Sequence, residues 1–195
     1  GAAFNDMNTT QALPFNSVDI TQMHASSDVL FVISAGEVWV ATTGVTAPNG
    51  NSSTNGNIWQ QVETSLGVPL SGAVNVTGNK YAGYALMSTG DIYTWGDNVV
   101  IGNGSGVQDL DFATLMTSPP APVKEISSFT HNDNDTGLLL LATDTKVYGV
   151  GDNTLAELIT TGSGVVTSWT AIQDGLGSDF TGAVQLSTSH TSEEW

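Results

Sequence analysis

The 195-residue sequence has no cysteine and no arginine, and Lys80, Lys124 and Lys146 are its only fixed cations. Without cysteine there is no disulfide framework, no thiolate zinc site and no cysteine nucleophile. Without arginine there is no bidentate clamp for a phosphate or carboxylate substrate. The 19 Asp and Glu residues leave a net charge of −16 at pH 7, a field that repels phosphate backbones and opposes nucleic-acid binding. The same field opposes a polybasic membrane patch, and no apolar run approaches the roughly 20 residues a spanning helix needs. Strong helix formers are scarce. Among motifs, neither a G-x-S-x-G elbow nor an H-x-x-x-H zinc pair occurs, and the glycine-rich Gly102–Gly106 run lacks the Lys-Ser/Thr of a phosphate loop. A non-enzyme is expected.

What is present is repetition. Hydrophobic residues make up 39% and the mean hydropathy is +0.02, enough for a sizeable core. Residues 57–77 align without a gap on residues 167–187, matching Trp59 with Trp169, Leu66-Gly67 with Leu176-Gly177, and Gly72-Ala73-Val74 with Gly182-Ala183-Val184. A third copy between them makes the period about half that offset: GEVWVATT at 36–43, GDIYTWGDN at 90–98 and TKVYGVGDN at 145–153 put Trp39, Tyr93 and Tyr148 in register. Each is preceded by a short apolar run, VLFVIS, YALMS or LLLLAT.

Every unit reads as four short strands: an alternating segment such as Val18–Thr21 or Val74–Thr77, the apolar run, a strand after a tight turn, and a Trp-bearing strand after a long Gly/Asn/Ser loop. Four strands per unit is the layout of a propeller blade. The expected fold class is all-β, a β-propeller-like array of four-stranded blades. Residues 1–16 form the tail of a preceding blade, 17–72, 73–124 and 125–182 form three full blades, and 183–195 begin a further one. Three blades do not close a ring, so an open arc or part of a larger ring is expected, with neighbouring subunits or protein partners covering the blade edges. A first residue that is Gly rather than Met fits an excerpt or a processed chain.

The run ALMSTGDIYTWGDNVVIGNGSG at 85–106 resembles the regulator-of-chromosome-condensation (RCC-like) repeat, a blade of a usually seven-bladed propeller. In that family a Gly-x-x-His step precedes an Ala-Leu strand. Here His24, His131 and His190 take comparable positions, with Lys80 in the remaining unit and Thr21, Ser128 or Ser187 in place of the family's Gly. Trp95-Gly96 becomes Ala41-Thr42 and Val150-Gly151 in the other units, so the repeats are degenerate. The resemblance implies exchange-factor, scaffolding or, in a secreted branch, inhibitory roles. The chromatin role would need basic surface that this chain lacks.

Several residues are candidate sites. Histidines recurring at one place per unit point to a repeated structural hydrogen bond at a blade turn. Asp133 and Asp135, in the Gly-ended loop 131–137, offer a hard-cation ligand set, making calcium the one weak cofactor candidate, and Asp109 and Asp111 form a second acidic pair. A solvated turn is the simpler reading of both. Trp59 and Trp169 are expected between blades, whereas Trp39 and Trp95 are weak candidates for exposed partner anchors. The expected function is a non-catalytic structural or recognition module displayed outside cells, on a virion, appendage or cell surface, because three lysines and no arginine offer trypsin-like proteases almost nothing to cut. The alternatives are a secreted propeller that binds one protein partner, and a glycan-processing or glycan-binding propeller.

Overall fold

The computed structural model describes residues 13–26, 29–42, 49–51, 58–130, 136–153, 158 and 164–188. Among these residues three four-stranded antiparallel sheets follow one another, each a simple meander. The first holds β1 (Ile20–Ser26), β2 (Val29–Ser34), β3 (Glu37–Thr42) and β4 (Gln60–Gln61). A two-stranded hairpin of β5 (Glu63–Ser65) and β6 (Val68–Pro69) leads to the second sheet. That sheet holds β7 (Ala73–Gly78), β8 (Ala82–Met87), β9 (Ile92–Val99) and β10 (Gln108–Leu115). The third holds β11 (Val123–Thr130), β12 (Thr136–Ala142), β13 (Val147–Gly151) and β14 (Val166–Ala171). This is the all-β, partial-propeller architecture expected from the repeat.

The first strand starts two residues later than the Val18–Thr21 pattern suggests. Asn16 caps a 3-10 turn over Ser17–Asp19, its side chain accepting from Val18 N at 3.3 Å, and Ile20 opens the strand. Residues 184–187, read as the start of another blade, carry no strand but run beside β11.

The cores lie between sheets. Phe31, Ile33, Val38 and Val40 of the first sheet meet Val76, Ala85, Met87 and Trp95 of the second in one cluster. Tyr84, Leu86 and Ile92 of the second meet Ile126, Leu138, Leu140 and Val150 of the third in another. Successive residues of β8 therefore serve opposite cores, Ala85 and Met87 one and Tyr84 and Leu86 the other, which is why that strand is an unbroken apolar run. Each middle strand turns tightly into the third strand. Gly36, Gly90 and Thr145 hold the same turn position, with φ of 79°, 90° and 68°. The last is a β-branched residue in a region that favours glycine.

The first strands of the sheets, β1, β7 and β11, stand side by side, and polar side chains knit them. Each has a bulge, and the residue just past it is Gln22, Asn75 or Glu125, paired with Ile33, Leu86 and Leu141 respectively. Gln22 donates to Val76 O at 3.3 Å and accepts from Val76 N at 2.5 Å. Glu125 accepts from Leu186 N at 3.2 Å. Asn75, one methylene shorter, leaves its buried Oδ1 without a partner. At that seam Thr77 and Ser128 bond through their hydroxyls at 2.8 Å, and Asn79 Nδ2 donates to Thr130 Oγ1.

Asn75→Gln supplies the missing reach toward Ile126, which stands in β11 where Val76 stands in β7. The substitution is expected to raise stability by about 1 kcal/mol, the net worth of a satisfied buried hydrogen bond. A higher urea midpoint at unchanged slope checks it.

Candidate functional site

The connectors between sheets gather at the end of the molecule that carries the tight turns, and there they form a face. The first connector is a hairpin: Leu70 N donates to Val62 O at 2.8 Å, and Gly67 N donates to Glu63 Oε2 at 2.8 Å. The third repeats it. Phe180 N donates to Ile172 O at 2.8 Å, and Asp174 Oδ1 accepts from Leu176 N at 2.8 Å and Ser178 N at 3.0 Å. Those backbone donors, Ser178 first and then Leu176, hold the Asp174 carboxyl below the usual carboxylate range. Both tips carry a glycine in the left-handed region, Gly67 at φ 75° and Gly177 at φ 83°, and the leucine before each is thrown into solvent. Leu66 is 84% exposed and Leu176 94%.

The middle connector is different. In the first interface Gly72 N and Ala73 N both donate to Gly36 O, at 2.8 and 3.0 Å. In the third, Ala183 N donates to Thr145 O at 3.2 Å and Gly182 N to Thr145 Oγ1 at 3.1 Å. These bonds clasp each connector to the turn of the preceding sheet. In the middle interface Pro122 stands where Gly72 stands, since Val123 pairs with Ala142 as Ala73 pairs with Met87. Proline has no N–H to donate. A groove of about 760 Å³ opens there between the turn Ser88–Asp91 and the segment Ser118–Pro122, floored by Val74 and Leu86. Among the described residues no backbone N–H reaches the carbonyl of Gly90.

Charge on this face is mostly negative. Glu63, Asp91, Asp144, Asp174 and Asp179 stand on its turns and connectors, against Lys124 and Lys146. Lys146 pairs with Asp179 at 2.8 Å, and Lys124 Nζ donates to Val184 O at 3.0 Å.

The residues singled out in the sequence fall in several places. Trp95 is not a surface anchor: it is fully buried, packed edge-on against Phe31 at 6.1 Å and lying over Gly83, where a Cβ would collide with its ring. Trp39 is half-buried against Phe15 at 5.5 Å, and its buried Nε1 has no hydrogen-bond partner. Trp169 donates to Thr117 O, on the connector from the second sheet, at 2.9 Å, and Trp59 packs edge-on against Phe15 at 5.0 Å. Asp133, Asp135, His131 and His190 lie outside the described residues. Asp109 accepts from Asn98 N at 3.0 Å, and burial followed by the charges of Asp109 and Asp111 pushes the Asp97 carboxyl up. No group of three potential metal ligands occurs among the described residues.

His24 sits within a strand rather than at a turn. It pairs with Phe31 as Thr77 pairs with Tyr84, so Thr77 and not Lys80 is its counterpart. Its Nε2 lies 2.9 Å from Gly78 O, a bond across the first seam. The exposed leucines were visible in the sequence only as repeat markers. Their signal is a Leu-Gly pair at a hairpin tip, where the glycine takes the turn and the leucine has nothing to pack on.

No family profile and no curated protein matches the chain. Solved structures do. Prp20p from Saccharomyces cerevisiae, described with its binding to Gsp1p and histones, matches at a TM-score of 0.60 and 9% identity, over 81% of this chain and 39% of that one. Yeast RCC1 (Prp20) bound by Kap60 matches at 0.58 and 9%, over 81% and 38%. Human WBSCR16 matches at 0.56 and 14%, over 73% and 35%. The fold is that of an RCC1-like β-propeller. The chain spans less than two fifths of the length of these RCC1-like neighbours.

The half-buried His24 gives this fold a pH dependence. Burial pulls its pKa below 6.5, and the bond to Gly78 O opposes that only in part. The unfolded chain thus binds the proton more readily, so the contribution is complete above the unfolded value and is lost as pH falls through it toward the lower folded value. Urea midpoints of the wild type are expected to fall between about pH 7.5 and pH 5.5, and those of His24→Asn to fall less.

Proposed function

We propose that the chain is a non-catalytic, protein-binding propeller module that engages its partner through the turn face. The supporting observation is the pair of leucines at the hairpin tips, exposed twice over by the internal duplication. Burying a leucine side chain contributes about 1.5–3 kcal/mol, so a partner that covers the two tips gains about that from each. The RCC1-like fold supports the same reading, because solved proteins of that fold are described with protein partners, Gsp1p and histones in one case and Kap60 in another. Display outside the cell, on a virion, appendage or cell surface, is the setting that the near-absence of Lys and Arg favours, with neighbouring subunits or a single protein partner as the occupant.

The test uses tagged full-length chain recovered from its native setting, with crosslinking before capture. The wild type is expected to bring down one stoichiometric protein, and the doubly substituted Leu66→Asp, Leu176→Asp chain to lose it at least tenfold while keeping its urea midpoint. Full retention of the partner by the double variant would overturn the reading.

A further inference from the structure

The groove between the second and third sheets is a vacancy of a defined kind. Its two neighbours are filled by the chain itself: a connector lies against the turn and donates backbone N–H groups to it, from Gly72 and Ala73 in one case and from Ala183 and Gly182 in the other. In the middle, Pro122 lacks the N–H that Gly72 and Gly182 supply, Val123 N, the counterpart of Ala73 N and Ala183 N, does not bond the Gly90 carbonyl, and Pro119 and Pro120 stiffen a segment that lies across the groove from the turn. The Gly90 carbonyl keeps the turn position that accepts the clasp elsewhere, at φ 90°. Beside it Asp91 projects its carboxylate into solvent, held by Thr89 Oγ1 at 2.7 Å.

We infer that this groove takes an extended, cationic segment of a partner protein, which donates a backbone N–H to Gly90 O and sets lysine or arginine side chains beside Asp91. The occupant is extended because the clasp it replaces is made by extended backbone, and because the groove runs between a turn and a stretched proline-rich segment. It is cationic because the chain carries a net charge of −16 and its turn face five carboxylates against two lysines, of which Lys146 is paired with Asp179 and Lys124, at the groove's edge, has its ammonium turned to Val184 O. Apolar residues between its charges rest on Val74 and Leu86. A strand laid against unfilled backbone acceptors, with charge setting its preference, follows the general mode of peptide capture by backbone pairing. The inference rests on the turn face being the protein-binding face and names the chemistry of one occupant.

The probe is a fluorescein-labelled, N-acetylated pentapeptide alternating lysine and valine, with an alternating glutamate and valine peptide as control, titrated into the full chain by anisotropy. The lysine peptide is expected to bind saturably and at least tenfold more tightly than its acidic control, to weaken as salt rises, and to shift the amide resonances of Gly90, Asp91 and Ala121. Asp91→Lys, an exposed substitution, is expected to lower that affinity at least tenfold. Pro122→Gly restores a donor that clasps Gly90 and is expected to do the same. The Leu66→Asp, Leu176→Asp chain is expected to bind the peptide like the wild type, which separates failure here from failure of the leucine-tip reading. Equal binding of both peptides, no saturable binding, or shifts mapping elsewhere would overturn the inference. So would indifference to Asp91→Lys, or a dimer of the chain that Asp91→Lys dissolves, which would make a second copy the occupant.

Discussion

The second strand of each sheet, β2, β8 and β12, is apolar on both faces, and that one constraint organises the rest. A four-stranded sheet with one wet face can stand against a single partner layer. A sheet such as the second, whose middle strand alternates between two cores, needs a neighbour on each side. Neither core belongs to one sheet. Both are built at seams, so the stability of any blade is the stability of its two contacts, as in other quasi-one-dimensional repeats. The continuous apolar runs, the short strands and the tight turns are what a chain must have if it is to place sheets face to face with only a few residues between them.

The seams are glued differently although the sheets are alike. At the inner edge the residue past each bulge faces the next first strand, and its length decides what it can do. Gln22 spans the gap and satisfies both the N–H and the carbonyl of Val76, Glu125 reaches only an N–H, and Asn75 falls short and strands its own oxygen. A bare orphan there would be costly in a low-dielectric seam. The hydroxyl pair Thr77 and Ser128, with Asn79 and Thr130 beyond it, supplies polar bonding close by. The first seam adds His24, whose neutral form the burial favours. Degenerate repeats thus keep the geometry while exchanging the chemistry that holds it.

That distinction also explains what the sequence revealed. Strand placement was legible, because period-two burial and the Trp59 and Trp169 match are consequences of packing, and packing repeats. The status of single residues was less so. His24 and Lys80 align when the chain is counted from Thr21 and Thr77, yet the register pairs His24 with Phe31 and Thr77 with Tyr84, since the first strand begins later and runs further than its sequence pattern suggests. Trp95 reads as a candidate rim anchor from its residue type alone. Instead its bulk is matched by Gly83 across the strand pair, a compensation between two residues that no single-residue reading detects. The leucine tips were in view throughout as repeat markers, but exposure is a property of the turn that carries them.

The connectors carry the last step. Their hairpin form recurs in the first and third positions and is absent from the second, in keeping with the long-range match between residues 57–77 and 167–187. Two hairpins and two clasps therefore flank one proline-rich segment with neither. Had the middle connector matched the others, the turn face would be closed by the chain's own backbone at all three interfaces, and Gly90 would be a bonded acceptor like Gly36. Three prolines within Ser118–Pro122 prevent this at small cost to the seam below, because the second core draws on Ala121 and Val123 at its margin and on strand residues for its body. Opening the face at its middle while clasping it on both sides leaves a gap between two clasped connectors. Such a gap can admit a backbone from outside without requiring the blades to move, which keeps the ordering cost of an incoming segment on the partner and off the propeller.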